Sequence, residues 1–175
     1  MKFIAIFFIA EAFYNLDMID HLIYQISRET EGTAGLYYKL ILLVADPETQ
    51  YLIDYDRLAN RTKSKSINVN LELSQSMLAL TSRQRALKVA SLLGTIITAT
   101  PHDTVLLKHI HILFDPVLRQ DPLRLLQNLS RHKTIIAVWE GQVQGQYLTY
   151  ARPDHPEYRR YPARELVIIR PVSNT

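Results

Sequence analysis

Residues 39–52, KLILLVADPETQYL, decide the fold class of this chain. After Lys39, the run up to Val44 is apolar without alternation, which is typical of a strand covered on both faces in a parallel sheet. The turn Ala45–Glu48 is short and polar, and helical spacing follows it. The apolar residues with that spacing are Tyr51, Leu52, Tyr55, Leu58 and Ala59. A strand, a turn and a helix in this order begin a βαβ unit.

Outward from this unit, the chain alternates between strand and helix patterns. Further strands are predicted at Ile67–Asn70, Thr104–Leu107, Thr134–Trp139 and Glu165–Arg170. Helices are predicted at Asn15–Arg28, Leu73–Leu80 and Ser82–Thr98, and from Pro122 onward behind an Asp121 cap. A hairpin arm is indicated by Val143, Tyr147, Leu148 and Tyr150. We therefore predict one α/β domain with a mainly parallel five-stranded sheet and a small hairpin extension.

The composition narrows the classes of function. The chain has 175 residues, and 47% of them are hydrophobic, which suffices to bury a core. No cysteine is present, so disulfides, thiolate catalysis and cysteine-based zinc sites are excluded. The 20 Lys and Arg residues against 17 Asp and Glu residues give a net charge of only +3, whereas nucleic-acid-binding domains usually carry a strongly basic patch.

The N-terminal residues 1–35 are predicted to form an extension of the main domain. The apolar run Phe3–Ala10 follows Lys2, and Ala10–Ala12 fits the small-x-small pattern of a signal-peptide cleavage site. We favour a strand or helix that packs on the core, because the run is short and only one basic residue precedes it. Residues 36–175 then form the α/β domain. No run reaches the ~18 apolar residues of a membrane span, so we expect a cytoplasmic protein without membrane contact.

The first strand-to-helix turn is the position where chemistry is expected, because ligands bind at the carboxyl ends of strands in open α/β sheets. A phosphate-binding loop at this turn reads Gly-x-x-x-x-Gly-Lys-Ser/Thr. The corresponding eight residues are Ala45, Asp46, Pro47, Glu48, Thr49, Gln50, Tyr51 and Leu52.

Five further blocks of sequence suggest a family. They are INVNLELS at 67–74, FDP at 114–116, QDPLRLLQ at 120–127, LSR at 129–131 and HPEYRRYPA at 155–163. With these blocks, the stretch from Lys39 to Arg170 resembles the BrxF family, small P-loop proteins of type-three bacteriophage-exclusion (BREX) systems. The resemblance implies a three-layer, P-loop NTPase-like domain in a phage-defence operon. Its implied partners are other BREX proteins: a larger ATPase, a helicase, a phosphatase-like protein and a DNA methyltransferase.

The chain departs from the family pattern at the phosphate loop. The two glycine positions hold Ala45 and Gln50, the lysine position holds Tyr51, and the magnesium-binding hydroxyl position holds Leu52. The acidic residues Asp46 and Glu48 add negative charge where a phosphate would bind.

The second nucleotide motif of the family also departs from its pattern. The acidic positions after the third strand read Lys108 and His111, and a lysine repels magnesium instead of binding it. We therefore expect an accessory, non-hydrolysing scaffold with no catalytic residue and no cofactor, and ATP with magnesium only if the divergent motifs still function. A nucleic-acid-binding module, or a divergent ATPase that needs a partner, is the alternative. A homo-oligomer stays open.

Three other groups of residues are candidates for function. Arg131 follows the helix before the fourth strand and is a candidate arginine finger in an oligomer, although an ordinary helix C-terminal cation is favoured. The histidines at 102, 109 and 111 lie near Asp103 and Asp115, and we favour ordinary surface histidines over a metal site. For DNA, the candidate contacts combine aromatic and basic side chains. They are Tyr158, Arg159, Arg160 and Arg164.

Overall fold

The computed structural model describes the backbone of residues 2–33 and 35–171, and side chains from residue 18 onward within these ranges. The helices are α1 (Lys2–Thr33), α2 (Pro47–Leu52), α3 (Tyr55–Arg61), α4 (Val69–Ser76), α5 (Ser82–Thr98) and α6 (Pro122–Leu129). The strands are β1 (Leu40–Ala45), β2 (Lys65–Asn68), β3 (Thr104–Lys108), β4 (Thr134–Gln144), β5 (Tyr147–Tyr150), β6 (Arg159–Pro162) and β7 (Val167–Ile169). Two 3₁₀ turns, Ile110–Phe114 and Pro116–Leu118, follow β3.

A mainly parallel sheet forms the centre of the fold. Its order is β2-β3-β4-β1-β7, and every neighbouring pair in this order is parallel. The sheet has seven strands in the described part of the chain, and the predicted number of five was wrong. The difference is the hairpin arm, in which β5 pairs antiparallel with the end of β4 and β6 pairs antiparallel with β5. The predicted α/β class is confirmed.

Helices cover both faces of the sheet and give the predicted three layers. Along β1, every residue is buried, as expected for a strand covered on both sides. Leu42 and Val44 belong to the core shared with α4, α5 and α6, whereas Ile41 and Leu43 belong to the core shared with α1 and α3. This alternation follows from the two-residue period of a strand.

Helix α1 packs on one face of the sheet, beside α3. It is one continuous helix that includes the predicted segment Asn15–Arg28, and the run Phe3–Ala10 takes the helical one of the two expected forms. Its buried residues at helical spacing are Met18, Ile19, Leu22 and Ile26. These side chains pack with Leu58 of α3 and with the sheet. Among the described residues, no helix combines the length and apolarity needed to cross a membrane.

Helix caps explain where the structure differs from the predicted element boundaries. The strand predicted at Ile67–Asn70 ends at Asn68, because the Asn68 side chain accepts a hydrogen bond of 3.1 Å from the Leu71 N–H and so begins α4. The helix predicted beyond Tyr51 is two helices, because Asp54 caps α3. By contrast, α5 has its predicted bounds, and Asp121 caps α6 as predicted.

The docking of α1 can be tested with two neighbouring positions on the same helix. Leu22 is 0% exposed and Tyr24 is 64% exposed. We expect Leu22→Ala to lower the free energy of unfolding by about 2–5 kcal/mol, since it leaves a cavity between helix and sheet. Tyr24→Ala should change it by less than about 0.5 kcal/mol. Urea unfolding measures both values, and equal values for the two variants would show that α1 does not contribute to the core.

Candidate functional site

The carboxyl edge of the parallel sheet has a topological switch point between β1 and β4. The chain leaves β1 toward β2 on one side of the sheet and leaves β4 toward β7 on the other. In open α/β sheets, ligands bind in the crevice outside such a pair of strand ends. A cleft of about 660 Å³ lies there, between Ala45 and Asp46 on one side and Gly141 and Gln142 on the other. This edge is therefore the candidate functional site.

The connection from β1 to α2 is too short to form a phosphate-binding loop. Strand β1 ends at Ala45 and α2 begins at Pro47, so Asp46 alone joins them. A phosphate loop instead wraps several backbone N–H groups around the anion between strand and helix. The Asp46 backbone is extended, with φ −68° and ψ 163°, which every residue adopts without the freedom of glycine.

The Asp46 carboxylate takes the place of an external anion at the start of α2. It accepts hydrogen bonds of 2.8 Å from the Thr49 N–H and 3.0 Å from the Thr49 hydroxyl. The Thr49 N–H is the main reason that the pKa of Asp46 lies below its usual value, so this carboxylate is ionised at neutral pH. Beside it, the Gln50 amide donates to the Ala45 carbonyl at 2.8 Å. The side chains of Asp46 and Gln50 therefore form hydrogen bonds with polar groups of the turn, and these bonds need no external ligand.

The remaining phosphate-loop positions point away from the cleft. Tyr51 is 92% exposed and Leu52 is exposed as well, and neither lines the cleft. Pro47 and Glu48 are exposed in the first turn of α2. No side chain at these positions supplies the positive charge that the family's lysine brings to a phosphate.

At the second motif, Lys108 is held by an ion pair. It is the last residue of β3, and its Nζ donates to Asp56 Oδ1 of α3 at 2.9 Å. This hydrogen bond is the main reason that the pKa of Asp56 is lowered. The pair neutralises both charges at the position where the family pattern has a magnesium-binding carboxylate.

The two histidines after β3 lie close to the carboxylate of Glu140, a residue that the sequence analysis did not identify. His109 directly follows the end of β3 at Lys108, and His111 lies in the 3₁₀ turn Ile110–Phe114. Their rings still come within 6.4 Å between centroids, and His111 Nδ1 lies 4.0 Å from Glu140 Oε1. Glu140 follows the predicted end of β4 at Trp139 directly. The rule that neighbouring parallel strands end at one edge could have identified it.

Two predicted contact regions lie elsewhere. Arg131 lies just before β4, at the opposite edge of the sheet from the cleft, with its guanidinium 4.6 Å from the ring centroid of Tyr37. Arg159 and Arg160 lie in β6 of the hairpin arm, and the Arg160 guanidinium is 3.5 Å from the ring centroid of Tyr147. Tyr158 directly precedes β6, and Arg164 lies exposed beyond it. Nucleic-acid binding by this arm stays a prediction.

Comparisons with protein-family models, with curated proteins and with solved structures find no match to this chain.

The capping role of Asp46 can be tested by the pH dependence of the free energy of unfolding. Asp46→Ala should lower the free energy of unfolding by about 1 kcal/mol at pH 7, because α2 loses its cap. A lowered pKa means that the charge stabilises the fold above the unfolded-state pKa of about 3.9 and stops doing so as the pH falls through the folded-state value. The destabilisation by Asp46→Ala should therefore shrink below about pH 4.

Asp46→Asn is the matched control, since asparagine caps helices about as well as aspartate but carries no charge. The free energy of unfolding of Asp46→Asn should be close to that of the natural chain at pH 7. It should not show the decrease below about pH 4 that protonation of Asp46 causes in the natural chain. Urea unfolding at pH 7 and pH 3 measures all three proteins. Equal destabilisation by both substitutions at pH 7 would contradict a capping role.

Proposed function

We propose that this chain is an accessory, non-hydrolysing subunit of a BREX phage-defence system, which acts in the cytoplasm and uses a P-loop-type domain as a protein-interaction scaffold. The resemblance of Lys39–Arg170 to BrxF supports the cellular role. The single observation that carries the loss of nucleotide chemistry is the one-residue connection between β1 and α2, capped by Asp46. At this connection, the phosphates of a nucleoside triphosphate would face the Asp46 carboxylate instead of a ring of backbone N–H groups.

The charges at the edge argue in the same direction. The Asp46 carboxylate lies directly after β1, where the resemblance implies the phosphates of a nucleotide, and like charges at short distance repel. The Lys108 ammonium is bound to Asp56, and the resemblance implies a magnesium-binding carboxylate at this position. A turn that repels phosphates, next to a strand end with no carboxylate at position 108 to bind magnesium, supports a scaffold better than an ATPase.

Equilibrium binding of ATP and ADP to the purified chain, with and without magnesium, tests the loss of nucleotide chemistry. We expect no binding tighter than about 1 mM, which corresponds to about −4 kcal/mol. A P-loop ATPase measured in the same buffer serves as the positive control. A dissociation constant below about 1 mM for the natural chain would contradict the proposal.

A scaffold needs a surface for its partner, and the best candidate is an apolar groove on α5. The groove, of about 980 Å³, lies between the first half of α5 and the 3₁₀ turn Pro116–Leu118. Leu87 on one wall is 74% exposed and Val117 on the other is 49% exposed. The Gln120 amide donates to the Ala86 carbonyl at 3.1 Å and ties the two walls together. Exposed apolar side chains in a fixed groove are typical of protein-interaction sites.

Two basic side chains that line this groove, Arg83 and Arg119, favour an acidic partner. Helix α5 contains no acidic residue, and Arg83 and Arg85 lie in its first turn, where the helix dipole disfavours cations. Lys88 adds a third positive charge, and Arg119 lies on the opposite wall. We therefore expect the partner to present an apolar segment flanked by Asp or Glu residues, which complements both features of the groove.

The groove can be tested by co-purification of the tagged chain with each co-expressed BREX protein: the ATPase, the helicase, the phosphatase-like protein and the methyltransferase. We expect one of them to be retained, and Leu87→Asp and Arg83→Glu to reduce its retention at least tenfold. Arg83→Glu puts a carboxylate in the first turn of α5, where the dipole favours it, so unfolding would not explain the loss. Tyr24→Asp on α1, at the opposite face of the sheet, is the control. Equal retention by all variants would place the partner elsewhere.

A further inference from the structure

Three side chains with metal-ligating atoms converge at the carboxyl edge of β3 and β4. They are His109, His111 and Glu140, called here the His–His–Glu cluster, and one ligand atom from each lies within 4.8 Å of the others. His109 is exposed, whereas the other two are partly buried. The cluster includes one position of the lost second nucleotide motif, but its chemistry is different.

The fold mounts the two histidines on a rigid turn. His109 has a left-handed backbone, with φ 54° and ψ 54°, a conformation that is uncommon for non-glycine residues, although Asn, Asp and His adopt it more often than the others. Its carbonyl accepts a hydrogen bond of 3.1 Å from the Asn70 N–H, which fixes the turn against α4. Ile110 and Phe114 of the following 3₁₀ turn are fully buried. Backbone strain that is held by a packed core clusters at functional sites.

The carboxylate is mounted equally firmly. Glu140 follows Trp139, which is fully buried and donates its indole N–H to the Thr149 carbonyl at 2.9 Å. The backbone at Glu140 pairs with Ala45 of β1 in the parallel register. The backbone that carries the three side chains is therefore already ordered without metal. Metal binding does not have to order it, which favours affinity.

The donor set determines the class of ligand. Two imidazoles and one carboxylate are the ligands that zinc uses in catalytic-type sites, where a fourth position stays open, and that other divalent transition metals also accept. Zinc bonds of about 2.0–2.1 Å in a tetrahedron put ligand atoms roughly 3.3 Å apart. The His111–Glu140 distance of 4.0 Å has to shorten, and the exposed or partly exposed side chains are free to rotate.

The surrounding charges favour a cation. Lys108 lies next to His109, but its ammonium is bound to Asp56 and the pair is neutral. With neutral imidazoles, Glu140 leaves the cluster one net negative charge. On the α3 side the neighbour is Tyr55, whose pKa is raised by burial and by the charge of Glu140. Its hydroxyl is buried and has no hydrogen-bond partner among the described residues.

We propose that His109, His111 and Glu140 bind one divalent transition-metal ion of the zinc class, with the fourth coordination position open to solvent at the carboxyl edge of the sheet. The site goes beyond the scaffold role and does not depend on it. It needs neither nucleotide nor partner protein.

The test is isothermal titration of tag-free protein with Zn²⁺ in a buffer without nucleotide. We expect one ion per chain. His111→Ala and Glu140→Gln should each weaken binding at least about tenfold, since even changes to groups that only support metal ligands have effects of this size. His109→Asn should do the same while it keeps the left-handed backbone, which asparagine tolerates. Co²⁺ added in place of Zn²⁺ should give the visible absorption of a four-coordinate site, and His111→Ala should abolish it.

His155→Ala and His102→Ala are the matched controls, because both histidines are exposed and lie outside the cluster. Their Zn²⁺ affinity should equal that of the natural chain. Thermal unfolding without metal checks that each variant is folded. A dissociation constant weaker than about 100 µM, or one that is unchanged in folded His111→Ala and Glu140→Gln, would overturn the proposal.

Discussion

The hydrogen bond from the Trp139 indole N–H to the Thr149 carbonyl marks the point on which the rest of the structure depends. There β4 changes from the parallel sheet, where it pairs with β1 and β3, to the antiparallel arm, where it pairs with β5. Gly141 is required two residues later, because a Cβ there would clash with the same Thr149 carbonyl. The ring of Phe114 packs edge-on against Trp139, with 5.1 Å between centroids. Glu140 lies between Trp139 and Gly141, so its position follows from this packing.

Two charged side chains at the carboxyl edge of the sheet are bound by other groups of the chain. They are the carboxylate of Asp46, directly after β1, and the ammonium of Lys108, at the end of β3. Each is satisfied within the chain, by Thr49 and by Asp56 respectively, so neither is a defect that a ligand must correct.

The sequence predicted what depends on local pattern and missed what depends on distant contacts. The buried run of β1 and the Asp121 cap of α6 are local, and both are confirmed. The predicted end of β2 was wrong. The branched side chain of Val69 favours a strand, but the Asn68 cap begins helix α4 at this residue. The strand β6 follows a proline-rich loop and forms only because β5 offers it a partner. The approach of His111 to Glu140 joins two strand ends that periodicity cannot relate.

One short segment links the docking groove to the His–His–Glu cluster. From His109 to Leu118, the chain passes through both 3₁₀ turns, with the histidines at its start and Val117 of the groove near its end. Leu113, Phe114 and Leu118 are buried, and the Phe114 ring stacks on Tyr150 with 3.4 Å between centroids. A partner in the groove therefore contacts the same rigid segment that positions the metal-ligating histidines. Because linkage between two binding sites is reciprocal, any effect of a bound partner on metal affinity requires an equal effect of the metal on partner affinity.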